Sequence, residues 1–523
     1  MTSSCVQSCR LRKFCLCLCL LVFFWFAGML YMVTLQNRTL TLATRFYFQH
    51  TLLTSRTNNT NNLTSTSSFK DLFYSFREIL PGSSRKTDSD ETRDESSRPQ
   101  SGMTSSWSPG TANDVITQLP PPPPSPPPPP SRERLDALTS VFKVKEVDCD
   151  GVFSGAKHDI EIAVNVTRQM ENNKTIGLSN AFYMEATKNC TDFIQTRGYI
   201  TSPLTKEEEH FPIAFSILAF TDSEMVERVL RSVYRPQNIY CVHIDKTADE
   251  GFFKAVESVV KCFHNVFLAP KRINVQWGSF SVLEPELVCM EALWGYKTWK
   301  YFINLTGQEL PLKTNYELVK ILTAYNGAND VEGTVKRANP ERWKKTTPPA
   351  GIRPRKGSVH VVINREFVGY ILHNDTASAL IKWVNTTDIP DETFFTSLNH
   401  NPHLGIPGSY KGEPESDTGS RKPFLARFKN WGSPPYKWPC AGYWTRGICI
   451  LSTGDLPLLK DRPELFANKF HLQKDRVVVG CLEELNYNRT RDEFLGVREF
   501  NTSFYESLGF VKDQVKSSSV VGG

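Results

Sequence analysis

The chain has 523 residues, 40% hydrophobic and 11% aromatic, with 61 Lys and Arg against 55 Asp and Glu, a net charge of +6. That is ample for one large core plus appendages. The modest charge, with no basic stripe interleaved with aromatics, excludes nucleic acid as a partner.

Phe14 to Leu35 carries no charged residue and is long enough to span a bilayer, which takes about 20 apolar residues. Arg10, Arg12 and Lys13 precede it, so residues 1–13 are expected in the cytoplasm and the rest across the membrane. No small-x-small cleavage site ends the run, which favours a type II signal anchor at 14–35 over a cleaved signal peptide.

Residues 36–146 read as a disordered stem rich in Ser, Thr, Asn, Arg and Asp. Pro120 to Pro130 is proline except for Ser125, a stiff polyproline II spacer of ~3.1 Å per residue. Asn58, Asn62, Asn165, Asn173, Asn189, Asn304, Asn374, Asn385, Asn488 and Asn501 each head an N-x-S/T sequon, as expected of a lumenal body. Asn304 lies in a predicted central strand and is expected to stay unmodified.

The lumenal body is set at 147–512, with a flexible tail at 513–523. Residues 147–210 are mixed and polar, and are expected to wrap the main sheet. From Phe211 to Leu312, apolar runs such as FPIAFSILAF, PQNIYCVHIDK, NVFLAPK and WKYFINLTGQELPL alternate with helical segments. This predicts an α/β fold with a mostly parallel central sheet. Ligands of such sheets sit at the carboxyl ends of the strands, and the second strand ends in His243-Ile244-Asp245-Lys246. Thr314 to Tyr325 reads as a helix, 326–356 as a polar, basic loop region, and Ser358 to Ile363 as a strand. The helix REFVGYILHN follows. Pro390-Asp391-Glu392 opens another helix, with Pro and acids in the first turn.

No P-loop, GxGxxG, HExxH or GxSxG motif occurs. Two acid pairs have the DxD spacing of a metal site, Asp88-Ser89-Asp90 and Asp148-Cys149-Asp150. The first lies in the stem, and the second contains a cysteine and follows no nucleotide-site strand, so neither is a credible metal site. Without a metal, Lys and Arg neutralise a diphosphate. Of 13 cysteines, Cys5, Cys9, Cys15, Cys17 and Cys19 lie in or before the first apolar run. The other eight are widely spaced with no CxxC pair, so a secretory body implies four disulfides, whose pairing the spacing leaves open.

PIAFSILAF, RPQNIYCVHIDK, CFHNVFLAP, WKYFINLTGQELPLKTN, ERWKK, REFVGYIL, PDE and LFANKF occur in this order between Cys149 and Cys481. Together they resemble the core 2/I-branching β-1,6-N-acetylglucosaminyltransferase family, glycosyltransferase family 14. The resemblance implies a GT-A-type nucleotide-sugar fold and an inverting, metal-independent reaction with no cofactor. It implies the disulfides Cys149–Cys481, Cys190–Cys262, Cys241–Cys289 and Cys440–Cys449. It makes Glu392 the general base for the acceptor 6-hydroxyl, Arg446 and Lys469 the pyrophosphate cations, and Asp245 the nucleoside-binding acid. Glu332, Arg342 and Trp431 fall on the acceptor side. Read without the family, Glu392 is a first-turn helix acid, Arg446 and Lys469 are surface charges and Asp245 is a strand-end cap. Phe394 to Ser397 (FFTS) and Phe428-Lys429-Asn430-Trp431 depart from the family pattern, and both departures are expected on the acceptor side.

The resemblance thus implies a Golgi membrane protein, single-pass type II, moving GlcNAc from UDP-GlcNAc to a β-1,3-galactosyl O-glycan on a glycoprotein, the core 2 branch. Homo-oligomerisation stays open. Rival readings are I-branching of poly-N-acetyllactosamine, xylosyl transfer on the same fold, a non-catalytic tethered glycan-binding protein, and a stalked structural glycoprotein. A hydrolase would require a second acid across the bond from Glu392, and none is evident.

Overall fold

The computed structural model describes residues 132–172, 177–343, 346–415, 424–432 and 437–517. The expected membrane span, the proline run and Asp88-Ser89-Asp90 lie outside them. No helix among the described residues is long and apolar enough to cross a membrane.

The described chain begins with α1 (Arg132–Phe142), which the sequence reading assigns to the stem. Leu135 is fully buried, Phe142 stacks on Tyr487 at 4.6 Å, and the Tyr487 hydroxyl donates to the Leu135 carbonyl at 2.8 Å. The packed body therefore starts before 147. Five helices follow where only a polar wrapping was expected: α2 (Cys149–Ser154), α3 (Lys157–Asn172), α4 (Asn180–Ala186), α5 (Cys190–Thr196) and α6 (Lys206–His210). Asp148 caps α2, accepting from the Gly151 amide at 3.1 Å, and Cys149 is disulfide-bonded.

The sheet is built from β1 (Ile213–Ala219), α7 (Ser223–Val233), β2 (Ile239–Ile244), α8 (Glu250–Val260), β3 (Val266–Leu268), α9 (Glu284–Trp294) and β4 (Tyr301–Thr306). Next come β5 (Glu309–Pro311), α10 (Asn315–Tyr325), β6 (Asp330–Thr334), β7 (Lys356–Asn364), α11 (Arg365–His373), α12 (Asp375–Val384) and α13 (Phe394–Asn399). β6 falls in the stretch read as loop, because DVEGT is short, polar and carries a glycine. The Thr314 expectation holds to one residue: its hydroxyl caps α10 in a capping box with Glu317. Last come β8 (Arg427–Phe428), the hairpin β9 (Tyr443–Thr445) and β10 (Ile448–Ile450), α14 (Leu456–Leu459), β11 (Phe466–Asn468) and α15 (Arg476–Phe494).

The main sheet has the order β3-β2-β1-β4-β7-β6. β3, β2, β1 and β4 are parallel, and β7 runs antiparallel to both β4 and β6. The chain adds strands outward from β1 on one side, then returns to place β4 on the other, so a topological switch point lies between β1 and β4. Alternate strand residues feed two apolar layers. Ile213, Phe215 and Ile217 join Met225, Val256 and Leu318 on one face. Ala214, Cys241 and Phe302 join Leu287, Phe367 and Phe394 on the other. Each large buried aliphatic or aromatic side chain contributes roughly 1.5–3 kcal/mol, so these layers hold the helices to the sheet.

The four disulfides are those the resemblance implies. Cys149–Cys481 joins α2 to α15, Cys190–Cys262 reaches from α5 past the end of α8, Cys241–Cys289 ties β2 to α9, and Cys440–Cys449 closes a short loop. The expected flexible tail is pinned at its start. Asp513 and Val515 carbonyls accept from Lys411 and Gly408 at 2.9 and 2.8 Å, and Gln514 is buried.

One polar cluster interrupts the second apolar layer. Glu286 of α9 accepts from the Ser216 hydroxyl at 2.6 Å and the Asn304 amide at 3.0 Å. Asn304 is buried, which closes that sequon to modification in the folded protein. Burial pushes the Glu286 carboxyl up to about 7, against smaller lowering by its two partners. A raised folded pKa gives stability that is present when the acid is protonated and is lost as pH rises through 7. The Tm advantage of wild type over Glu286→Gln is therefore expected to shrink between about pH 4.5 and 7 in thermal denaturation. A constant difference would contradict this.

Candidate active site

The carboxyl ends of β1, β2 and β4 enclose a cavity of about 220 Å³ whose lining includes Phe220, Thr221, His243, Asp245, Val275 and Gly307. It lies at the switch point, where open α/β sheets bind ligands. Asp245 builds its wall. One carboxylate oxygen accepts from the Thr247 amide and hydroxyl, both at 2.7 Å, and the other from the Val275 amide at 3.1 Å. His243 Nε2 accepts from the Ile273 amide at 2.9 Å, which requires a neutral ring; burial keeps it so, lowering its pKa to about 4. The segment 273–275 is thereby fixed to the end of β2. Two residues on, Trp277 is 82% exposed. Sequence reasoning missed this side chain, whose only signal was a tryptophan in a polar loop.

The hairpin β9–β10 carries Arg446 at its tip. Arg446 and Gly447 both have left-handed φ, 51° and 81°, as two-residue hairpin turns of the primed type require. The arm is fixed at its base by Cys440–Cys449. The Cys449 amide donates to the Asn430 carbonyl, and the Leu451 amide to the Lys469 carbonyl, both at 2.9 Å. Burial, then the charge of Arg446, hold the Lys469 ammonium below the usual lysine range. Two cations thus face each other, and the next residue, Phe470, donates its amide to the carbonyl of Gln308 at 3.0 Å, a residue of the cavity wall. The structure brings Asp245, Arg446 and Lys469 to one end of the sheet.

Glu392 lies in a 3-10 turn, Pro390–Glu392, just before α13. Arg342 Nη1 donates to its Oε2 at 2.6 Å, and Lys356 Nζ stands 3.3 Å from the same oxygen. The expected first-turn helix acid is thus a cation-held carboxylate. Its turn is tied to both walls: the Ile389 amide donates to the Gly278 carbonyl at 3.0 Å, and the Asp388 amide to the Arg342 carbonyl at 2.9 Å. Beside it, burial and then the Glu392 charge raise the Asp391 carboxyl to about 6. Glu332, on β6, stands 3.8 Å from the Lys429 ammonium and 3.9 Å from Arg337. Lys429 is buried and donates to the Ser358 hydroxyl at 2.8 Å. Gly357 lets β7 pass here, since a Cβ would stand 2.2 Å from the Glu332 carbonyl oxygen. Trp431 follows two residues after Lys429, 47% exposed.

One expectation changes. Phe394, Phe395, Thr396 and Ser397 are fully buried, so the FFTS departure lies in the core beneath the cleft and not on its surface. Lys356 and Lys429 were not singled out from sequence, because a lysine in a strand or loop ordinarily reads as solvated charge.

Beneath both halves lies Glu309 of β5. Its oxygens accept from Arg427 Nε at 2.7 Å, Asn468 Nδ2 at 2.9 Å and the Thr306 hydroxyl at 3.1 Å, and His360 Nε2 stands at 2.7 Å. Burial opposes its ionisation, but the charges of Arg427 and His360 outweigh this and hold the carboxyl down to about 2.

The mixed α/β architecture, with its mostly parallel central sheet, fits a GT-A-like fold. The Core-2/I-Branching enzyme family matches residues 213–459. A human protein named beta-1,3-galactosyl-O-glycosyl-glycoprotein beta-1,6-N-acetylglucosaminyltransferase is 33% identical over 365 residues, 65% of this chain and 84% of that protein. A rat protein of the same name, numbered 3, is 36% identical over 363 residues, covering 65% of this chain and 82% of its own. A protein of bovine herpesvirus 4 (strain LVR140) with that name is 34% identical over 365 residues, 65% and 82% of the two chains. This chain belongs to the Core-2/I-branching enzyme family.

Removing Arg427 strands the buried Glu309 charge. Arg427→Met is expected to cost about 3–5 kcal/mol of stability, read from the denaturant midpoint, with an unchanged midpoint contradicting the assignment.

Proposed function

We propose that this chain is an inverting glycosyltransferase that moves GlcNAc from UDP-GlcNAc to the 6-hydroxyl of the peptide-linked GalNAc in a β-1,3-galactosyl O-glycan. Family membership and the names of the relatives support the reaction class. The observation that carries the base assignment is the Glu392 carboxylate held at the cleft by Arg342 and Lys356. Both cations engage Oε2, which leaves Oε1 for the acceptor among the described residues. The acceptor O6 gives its proton to Glu392 as it attacks the anomeric carbon. The new C1–O6 bond forms as the C1–O bond to UDP breaks, so α becomes β. The leaving diphosphate gains charge, which Arg446 and Lys469 neutralise without a metal. Asp245 has three protein donors, and a carboxylate takes about four, so one acceptor position remains for the nucleoside. Glu332, Arg342 and Trp431 are assigned to the acceptor wall. Residues 14–35 would anchor the enzyme in the Golgi membrane with this domain lumenal.

The test is transfer to Galβ1-3GalNAc by the full chain in detergent, with and without EDTA. Transfer is expected to survive EDTA and to fall about 100-fold or more in Glu392→Gln. Activity kept by that variant would refute the base assignment. Loss of transfer in EDTA would refute the metal-free clamp.

A separate measurement addresses the cations. Arg446→Ala and Lys469→Ala are each expected to weaken UDP binding about 10- to 100-fold, read by calorimetry. Unchanged affinity would remove these residues from the donor site.

A further inference from the structure

We propose that Trp343 and Thr393 form a latch that positions Glu392, a role that rests on the reading of Glu392 as the base. The turn carrying Glu392 has two backbone bonds of its own, from the Glu392 amide to the Ile389 carbonyl at 3.2 Å and from the Thr393 amide to the Pro390 carbonyl at 3.0 Å, and they leave the side chain unplaced. Ile389, which opens it, has φ 51°, a left-handed conformation that a β-branched residue adopts only when its surroundings impose it, at a cost of about 1–3 kcal/mol. Glu392 also contributes no cap or interior hydrogen bond to a long helix, because α13 begins only at Phe394. Its side chain must be placed by tertiary bonds.

Three of these come from the short turn Pro340–Trp343. The Arg342 carbonyl accepts from the Asp388 amide before Glu392, the Arg342 guanidinium grips the carboxylate itself, and the Trp343 indole N–H donates to the Thr393 hydroxyl, at 3.1 Å, just after it. The residue Glu392 is thus bracketed on both sides along the chain by two adjacent residues of one segment.

The use of Thr393 is the second observation. It stands at the N-cap of α13, yet its side chain makes no cap hydrogen bond. A threonine there normally accepts from an amide of the first turn, and its loss costs about 1 kcal/mol. Here the hydroxyl, on a buried residue, is turned to the indole instead. Trp343 in turn packs its ring against the second apolar layer, so the indole is a fixed post and the hydroxyl is tied to it. A side-chain shift of 1 Å can cost about 100-fold in rate, which is the scale of what the latch prevents.

Trp343→Phe keeps an aromatic ring and removes the N–H. Thr393→Val keeps the shape and removes the acceptor, and Thr393→Ser keeps the acceptor. In the full chain, Trp343→Phe and Thr393→Val are each expected to lower kcat about 10-fold or more. KM for UDP-GlcNAc should stay within about twofold of wild type, and Thr393→Ser should keep most of the rate. Since both variants break one bond, the double variant should be no slower than the slower single, a non-additivity expected of groups in direct contact. Singles within about twofold of wild type, losses that multiply in the double variant, or an effect on donor KM in place of kcat would overturn the latch. Glu392→Gln, run beside them, separates the two claims. If it is inactive while Trp343→Phe and Thr393→Val are normal, the latch alone fails. If it is active, the base reading fails and takes the latch with it.

Discussion

Glu309 is a fully buried carboxylate with a cation on one oxygen and an amide, a hydroxyl and an imidazole gathered about the other. Arg427, which supplies the cation, also donates to the backbone carbonyls of Ala426 and Asn304 and lies 4.6 Å from the centre of the Phe466 ring. The constraint is one of charge: an ionised acid in an apolar interior is tolerable only while its partners are in place. Those partners come from the end of β4, from β7, from β8 and from β11. The main sheet and the small sheet β5-β11-β8 are therefore held in one register by a single group. Lys469 directly follows β11, Lys429 directly follows β8, and Lys356 lies on β7, so the cations of both cleft walls inherit their places from it.

The cleft is organised as two walls around one turn. One wall is the segment 273–278, fixed by His243 and Asp245 at one end and bonded through Gly278 to Ile389 at the other. The other wall is the segment around Arg342, with β6 and β7 behind it. The turn bearing Glu392 bridges the two, so a carboxylate that belongs to neither sheet is placed by both. Its contacts with Lys356 and Arg342 hold it in place. Among the described residues these cations cover one of its two oxygens.

Much of this was legible in the sequence. The alternation of apolar runs with helical periods located β1 to β4 and their crossover helices, because buried parallel strands are continuous apolar stretches. The strand-end position of Asp245 and the Pro-Asp-Glu turn could be marked from residue type alone. The pairings of the eight cysteines came only with the family resemblance, since spacing does not select among them. Three things were hidden. Of the helices between 149 and 210, four have only five to seven residues, too few turns to show a period, and Lys157–Asn172 is polar with only Ala163 and Val166 buried. β6 is a polar strand whose place is set by pairing with β7, not by its own composition. Lys356, Lys429 and Glu309 read as ordinary charged residues, because what distinguishes them is the approach of groups distant in the chain, Glu392, Ser358 and Arg427.

The Cys149–Cys481 bond closes a span of 332 residues. At a synthesis rate of about 5–20 residues per second, Cys149 waits roughly 15 to 70 seconds for its partner to be made. Cys190–Cys262 and Cys241–Cys289 span only 72 and 48 residues and can close while translation continues. During that interval Cys149 is an unpaired thiol among other thiols that are meant for different partners. The domain is therefore sealed last, by joining its first helices to its last long one. Any chain that stops short of residue 481 leaves that thiol open, a chemical mark that separates an unfinished molecule from a finished one.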